Sequence, residues 1–333
     1  MNRYKAVLIG CGRIGARLER DQGRPRPATY LGALLDNPDV ELVAVADADR
    51  ARAEWAADVA RHRGVRLACY VGDAADVLVR TEQPDLVVLA TPPDTHRKLV
   101  EMCVVSAPAA ILVEKPMALS AADAEAMVGV CADAGVQLIV AHSRRFDPCL
   151  RQIREDLLGV MGEPVGGYAV YTGGLWDSGT HTVDLLQFLL GEVVAVRDVH
   201  PRRWGSEAPW DLSPAAFLEF LGGVIVTLQG LDIRDYAEFR LMLYGRTGAF
   251  VMDDSGFDVR WHRVVSGRWF GGYKQLDGGA VMAAGGRSYL GPMLEHVVEV
   301  MAGRAACLSS GQDGFATVRV LEAIQRKAEA GPP

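Results

Sequence analysis

Up to about residue 143 the chain alternates between two apolar patterns. Short runs at residues 5–9, 41–46, 67–71, 85–90, 111–113 and 137–140 are apolar on both faces and read as strands buried on both sides. Alanine-rich stretches between them, such as 50–61 and 121–134, read as helices. Strands joined through helices predict a parallel sheet covered on both faces, a doubly wound α/β architecture.

Beyond residue 143 the pattern changes. A helix is expected over 179–190, then β-type runs at 193–199, 216–220, 224–229, 239–244, 249–252 and 257–261. Turn residues such as Gly222-Gly223 and Asp253-Asp254 separate these runs, so the connections are short and the sheet largely antiparallel. Two helices, 292–302 and 311–330, close the chain. The expected organisation is an α/β chain with an N-terminal Rossmann domain over 1–143, and a C-terminal α+β domain over 144–333 with an open, mostly antiparallel sheet.

Charge and composition narrow the function. Across 333 residues the formal net charge is −7 and the basic residues are scattered, which argues against a nucleic-acid partner. No apolar run reaches the roughly 18 residues of a membrane span, so no membrane partner is expected. The N-terminus enters a strand at once, without the apolar region of a signal peptide, which reads as a cytoplasmic protein. The six cysteines form no CxxC pair and read as reduced, buried thiols. The histidines show no metal-binding spacing, so no metal is expected.

The first strand runs into Gly10-Cys11-Gly12-Arg13-Ile14-Gly15, a GxGxxG between a strand and a predicted helix. In that setting Gly10 allows the tight turn, Gly12 lets a pyrophosphate approach the backbone, and Gly15 lets helix and strand pack closely. The helix N-terminus would supply N–H groups to the anion. Asp47 ends the second strand, where a carboxylate accepts hydrogen bonds from ribose hydroxyls and repels a 2′-phosphate. NAD is therefore expected rather than NADP, with Arg50 and Arg52 as the residues that could favour NADP. Asp47 lies farther from the turn than the usual ~20 residues. The excess is the stretch 20–27, with three arginines and two prolines, which reads as an ordered non-helical loop. Arg24 and Arg26 in it are candidates to meet a phosphate of cofactor or substrate.

Two further stretches carry a resemblance. They are Ala90-Thr91-Pro92-Pro93-Asp94-Thr95-His96 with Glu114-Lys115-Pro116, and Gly173-Gly174-Leu175-Trp176-Asp177-Ser178-Gly179-Thr180-His181-Thr182-Val183-Asp184. Together with the glycine turn they resemble the glucose–fructose oxidoreductase/inositol dehydrogenase/MocA (Gfo/Idh/MocA) family over nearly the whole chain. The resemblance implies a two-domain oxidoreductase with its active site between the domains. Lys115 matches the lysine beside the nicotinamide, and Asp177 and His181 match the acidic and histidine positions of the second motif. Thr91, Pro92, Pro93, His96 and Glu114 match the cofactor cleft, and Arg145 and Trp176 are candidate substrate contacts. The resemblance also implies a homodimer or homotetramer.

The residue chemistry agrees with that assignment. Asp177 and His181 are four apart, so a helix beginning near Asp177 would carry both on one face. A carboxylate, that of Asp177 or alternatively of Asp184 three residues after the histidine, orients an imidazole and favours its protonated form, so His181 could accept and return a proton near neutral pH. Lys115 could stabilise alkoxide character on a substrate hydroxyl. The expected activity is NAD-dependent hydride transfer to or from a secondary alcohol of a sugar, sugar nucleotide or cyclitol such as an inositol. The alternatives are an NADP-dependent sugar reductase of the same family and a non-catalytic cofactor-binding sensor.

Overall fold

The computed structural model describes residues 3–201, 210–283 and 286–330. The chain forms two units, each discontinuous in sequence: Met1–Asp147 with Arg287–Val318, and Pro148–Gly286 with Arg319–Pro333. A single cut near residue 143 therefore does not describe the division, because a later helix returns to the first core.

The first unit is built on β1 (Tyr4–Ile9), α1 (Tyr30–Asp36), β2 (Val40–Asp47), α2 (Arg50–His62), β3 (Ala68–Val71), α3 (Ala75–Glu82), β4 (Leu86–Leu89), α4 (His96–Cys103), β5 (Ala110–Val113), α5 (Ala121–Asp133) and β6 (Gln137–Val140). The six strands form one parallel sheet in the order β3-β2-β1-β4-β5-β6. The order reverses between β1 and β4, the switch point where open α/β sheets bind nucleotides at the carboxyl ends of the strands. Side chains such as Leu8, Val45, Val88 and Leu112 fill its core, as expected for strands covered on both faces.

One expectation fails at the start of this unit. The glycine turn does not open an uninterrupted helix. One helical turn follows it, with Ala16 N and Arg17 N donating to Gly12 O, and then a short 3-10 turn at Arg17–Arg20. The chain leaves the helix axis and returns at Tyr30. There Tyr30 N donates to Ile14 O at 3.1 Å and Leu31 N to Gly15 O at 2.9 Å. Two backbone hydrogen bonds thus bridge an excursion of over a dozen residues, which is why Asp47 lies so far along the chain.

The second unit contains α6 (Pro148–Met161), β7 (Pro164–Thr172), a π-helical turn at Leu175–Gly179, α7 (Thr180–Leu190), β8 (Val193–His200), β9 (Ala215–Phe220), β10 (Ile225–Leu231), β11 (Phe239–Gly245), β12 (Gly248–Asp253), β13 (Asp258–Ser266), β14 (Lys274–Leu276) and β15 (Ala280–Ala283). The sheet order is β14-β13-β12-β11-β7-β10-β9-β8, with β15 pairing β13. All pairs are antiparallel except β7 with β10. The sequence pattern does not disclose α6 or β7. Strand β7 carries Gly166-Gly167, a pair that weakens any strand pattern. The glycine is required, since a Cβ on Gly167 would lie 2.3 Å from Met242 O on the neighbouring strand. Tyr171, Leu218, Leu228, Leu243 and Phe250 of the sheet are buried, as are Val183 and Leu186 of α7.

The chain then returns. Helix α8 (Leu290–Met301) buries Met293, Leu294 and Val297 in the first unit's core, and α9 (Gly311–Ala330) begins in the first unit and ends in the second. Among the described residues no helix is long and apolar enough to cross a membrane. The thiols of Cys11, Cys103 and Cys131 are buried, and those of Cys149 and Cys307 half-buried. Cys69 departs from the expectation and is exposed, because β3 is an edge strand.

Candidate functional site

At the carboxyl end of β1 the three glycines separate by what surrounds them. Gly10 has φ +99°, and a Cβ there would lie 2.5 Å from Ala90 O. A Cβ on Gly15 would lie 2.0 Å from Gly10 O. Both glycines are demanded by the protein's own packing. A Cβ on Gly12 would meet nothing within 4 Å. No neighbouring group requires glycine at that position, so its bare backbone faces open space, as close approach of a pyrophosphate needs. Arg13 is exposed and Ile14 half-buried beside it. The residues present fit a dinucleotide.

Asp47 completes this end. Its Oδ2 accepts Cys11 N at 2.7 Å and its Oδ1 accepts Asp49 N at 2.9 Å. The carboxylate is therefore fixed against the glycine turn, and each oxygen keeps a lone pair for a ribose hydroxyl. The neighbouring arginines are engaged: Arg50 with Glu54 at 3.1 Å and Arg52 with Asp49 at 3.4 Å.

The excursion holds itself together. Arg26 pairs with Glu19 at 2.6 Å, Arg24 with Asp21 at 3.1 Å, and Thr29 Oγ1 donates to Glu19 Oε2 at 2.7 Å. Ser288 Oγ donates to Pro27 O at 2.6 Å and anchors its far end. Arg24 and Arg26 are thus occupied in stitching the loop.

The loop after β4 and the segment after β5 are braced by one imidazole. His96 is buried, with Nε2 2.9 Å from Thr91 O and Nδ1 3.1 Å from Met117 O. Burial pushes its pKa below the usual histidine value, while the carbonyls oppose that shift. Thr91 and Pro93 are half-buried and Pro92 exposed. Glu114 spends both oxygens on the protein: Oε1 accepts Tyr30 Oη at 2.6 Å and Oε2 accepts Lys115 N at 2.9 Å. Burial raises the Glu114 carboxyl pKa against the pull of Lys115 and Tyr30, and burial holds the Tyr30 phenol protonated. Glu114 therefore acts as a brace for the half-buried Lys115. Tyr30, which starts α1 after the excursion, carries no sequence signal for this role.

In the second unit Asp177 lies in the π turn and His181 on the first turn of α7, so both sit on one continuous helical run. Asp177 is exposed, His181 half-buried and Asp184 buried. Gly173 and Gly174 enter the turn with φ of +91° and +103°, values open to glycine at little cost. The turn is held by Asp211, which sequence reasoning does not single out. Its Oδ1 accepts Trp176 N at 2.9 Å and its Oδ2 accepts Asp177 N at 3.2 Å. Two expected substrate contacts have packing roles. Trp176 is buried, with its indole N–H donated to Gln325 Oε1. Arg145 is buried in the first unit, paired with Asp313 at 2.9 Å and donating to Leu308 O at 2.9 Å.

Two family models match, one described as "Oxidoreductase family, NAD-binding Rossmann fold" over residues 4–142 and one as "GFO/IDH/MocA C-terminal domain" over 166–251. The chain belongs to the Gfo/Idh/MocA oxidoreductase family. Among its relatives, a D-apiose dehydrogenase of Paraburkholderia graminis is 33% identical over 58% of this chain, and an inositol 2-dehydrogenase of Rhizobium meliloti 35% identical over 56%. These matches span 51% and 54% of those two proteins, about half their length. Inositol 2-dehydrogenase 1 of Saccharopolyspora erythraea is 29% identical over 98% of this chain and 94% of its own. An oxidoreductase of Agrobacterium radiobacter, solved with NAD+, L-tartaric acid and magnesium, shares the fold with a TM-score of 0.77 at 21% identity, covering 99% of this chain and 98% of that one.

Proposed function

We propose that this chain is an NAD-dependent dehydrogenase or ketoreductase acting on a secondary alcohol of a sugar, sugar nucleotide or cyclitol. The observation that carries the reading is the nucleotide end of the first unit, where Gly12 has no packing reason to be glycine and Asp47 is clamped beside it. Asp47 favours NAD over NADP, since its fixed carboxylate accepts from ribose hydroxyls and repels a 2′-phosphate. The apiose and inositol dehydrogenase relatives support the substrate class.

Gly10, Gly12 and Gly15 with Cys11, Arg13 and Ile14 would hold the pyrophosphate, Asp47 the ribose, and Thr91, Pro92 and Pro93 the cleft wall, with His96 bracing that wall from behind. NAD, when bound, supplies the hydride acceptor. His181 takes the substrate hydroxyl proton in oxidation and returns it in reduction. Asp177, four residues earlier on the same helical run, orients the imidazole and stabilises its protonated form. Lys115 stabilises the developing alkoxide, and the Glu114 brace on its backbone keeps it in place.

The test is nicotinamide reduction, followed by absorbance, across a panel of inositols, aldoses and UDP-sugars. At least one compound should be turned over, with Lys115→Ala and His181→Ala each lowering kcat by about 10²–10⁴-fold. Near-wild-type turnover in either variant, or no turnover on the panel by protein that binds NAD, would overturn the reading.

A further inference from the structure

We propose that Asp211 is a positioning residue for the reaction, a remote helix cap that fixes the backbone carrying Asp177. The proposal rests on reading Asp177 and His181 as the proton-handling pair.

A helix start leaves backbone N–H groups without intrahelical partners, and a serine, threonine or aspartate just before the first turn usually accepts from them. This turn cannot be capped that way, because Gly173 and Gly174 precede it and neither has a side chain. The missing cap comes from a segment more than thirty residues later. Leu175 N donates to Leu212 O at 2.8 Å, Trp176 N to Asp211 Oδ1 at 2.9 Å and Asp177 N to Asp211 Oδ2 at 3.2 Å. Three successive N–H groups are thus taken by two successive residues. The fit is close: a Cβ on Gly174 would lie 2.2 Å from Asp211 Oδ2, so the carboxylate fills the space that a side chain at Gly174 would need.

The choice of a carboxylate here is costly. Asp211 is 4% exposed, and among the described residues it has no ion-pair partner. Burial pushes its pKa up to about 6, the negative charge of Asp177 adds to the rise, and the backbone N–H groups oppose it. The titratable groups acting on it are Asp177 across the turn and the Tyr171 phenol of β7. A neutral asparagine would avoid the charge, yet its amide nitrogen cannot accept from the second N–H. A carboxylate gives each N–H an oxygen of its own. What the protein gains is a fixed Cα for Asp177. The Asp177 carboxylate is exposed, with Oδ2 3.6 Å from where a Cβ on Gly173 would be.

The test uses the full-length protein with three variants, Asp211→Asn, Asp211→Ala and Gly174→Ala. Asp211→Asn is nearly isosteric and should fold with an unchanged Tm. Its amides at 175–177 should exchange with solvent about tenfold faster than in wild type. In the panel assay its kcat should fall about 10–100-fold with the KM for NAD unaltered, since the loss is one of geometry at the second unit. Asp211→Ala should be worse in both respects. Should it fail to fold, Asp211→Asn carries the test; Gly174→Ala, which adds a Cβ at φ +103° and 2.2 Å from Asp211 Oδ2, should lose stability as well as show the same split between kcat and KM. Unchanged exchange, or unchanged kcat, in Asp211→Asn beside an inactive His181→Ala would overturn the role of Asp211 alone. A fully active His181→Ala would overturn the proton-handling pair itself and, with it, the catalytic meaning of the cap.

Discussion

Tyr30 donates its phenolic proton to Glu114 Oε1 at 2.6 Å, and the other oxygen of that carboxylate accepts Lys115 N. The first residue of the helix restarted after the excursion is thereby tied to the backbone of the proposed catalytic lysine. Tyr30→Phe removes one donor from a carboxylate that burial already disfavours. The expected loss of stability is about 1.5–3 kcal/mol, read by urea unfolding. A several-fold fall in kcat should accompany it, and an unchanged midpoint would show that the bond contributes nothing to the fold.

Gly12→Ala and Gly15→Ala should part company. A Cβ added at Gly15 would collide with Gly10 O, so that variant should lose about 1–3 kcal/mol of stability or fail to accumulate. A Cβ added at Gly12 enters open space, so Gly12→Ala should melt as wild type does. Its defect should be confined to NAD, seen as a raised Kd in calorimetry. A stability loss equal to that of Gly15→Ala would mean that Gly12 serves the fold instead.

Cofactor choice rests on Asp47 and its guarded neighbours. Asp47→Ser should weaken NAD binding by roughly ten- to a hundredfold, the worth of hydrogen bonds to a charged group. It should gain little with NADP, because Asp49 still holds Arg52. Adding Asp49→Ser frees that guanidinium, and NADP affinity should rise only in the double variant. Dissociation constants for both cofactors across the two variants check this.

The His96 brace predicts a pH effect with a definite sign. Its folded pKa lies below the ordinary histidine value of about 6.5. The unfolded chain therefore takes up a proton first as pH falls. The stabilisation is complete above about 6.5 and is lost as pH drops toward the folded value. His96→Asn should be destabilised relative to wild type most at pH above 7, and the gap in Tm should narrow in mild acid. A gap that widened on acidification would reverse the assignment.

The strands of the first sheet are legible in the sequence because runs apolar on both faces leave few alternatives, and β6 has the bounds its pattern predicts. Asp47 stands out by its place at a strand end after the glycine turn, and Lys115, Asp177 and His181 by the resemblance of their motifs to the family's. Strand β7 is hidden because Gly166-Gly167 answers to a neighbouring backbone, which no local pattern records. Asp211 is hidden for a related reason: its partners are N–H groups of a segment remote in sequence, and backbone amides have no letter in the sequence. Trp176 and Arg145 look like substrate contacts in the sequence because a motif gives the neighbourhood of a side chain and not the direction it takes. Their partners, Gln325 and Asp313, lie far along the chain.

The two hydrogen bonds that bridge Ile14 to Tyr30 and Gly15 to Leu31 uncouple length from register. The exposed tip of the excursion, residues 21–24, can change length while Tyr30 still arrives opposite Glu114, provided that the Glu19, Thr29 and Pro27 contacts holding its two ends are kept. A domain whose Gly10 and Gly15 admit no side chain thus carries, between that turn and α1, a short exposed segment where new sequence can be tried at little risk. Variation among close homologues should concentrate there, and a fluorescent reporter grafted into it would leave the cradle intact.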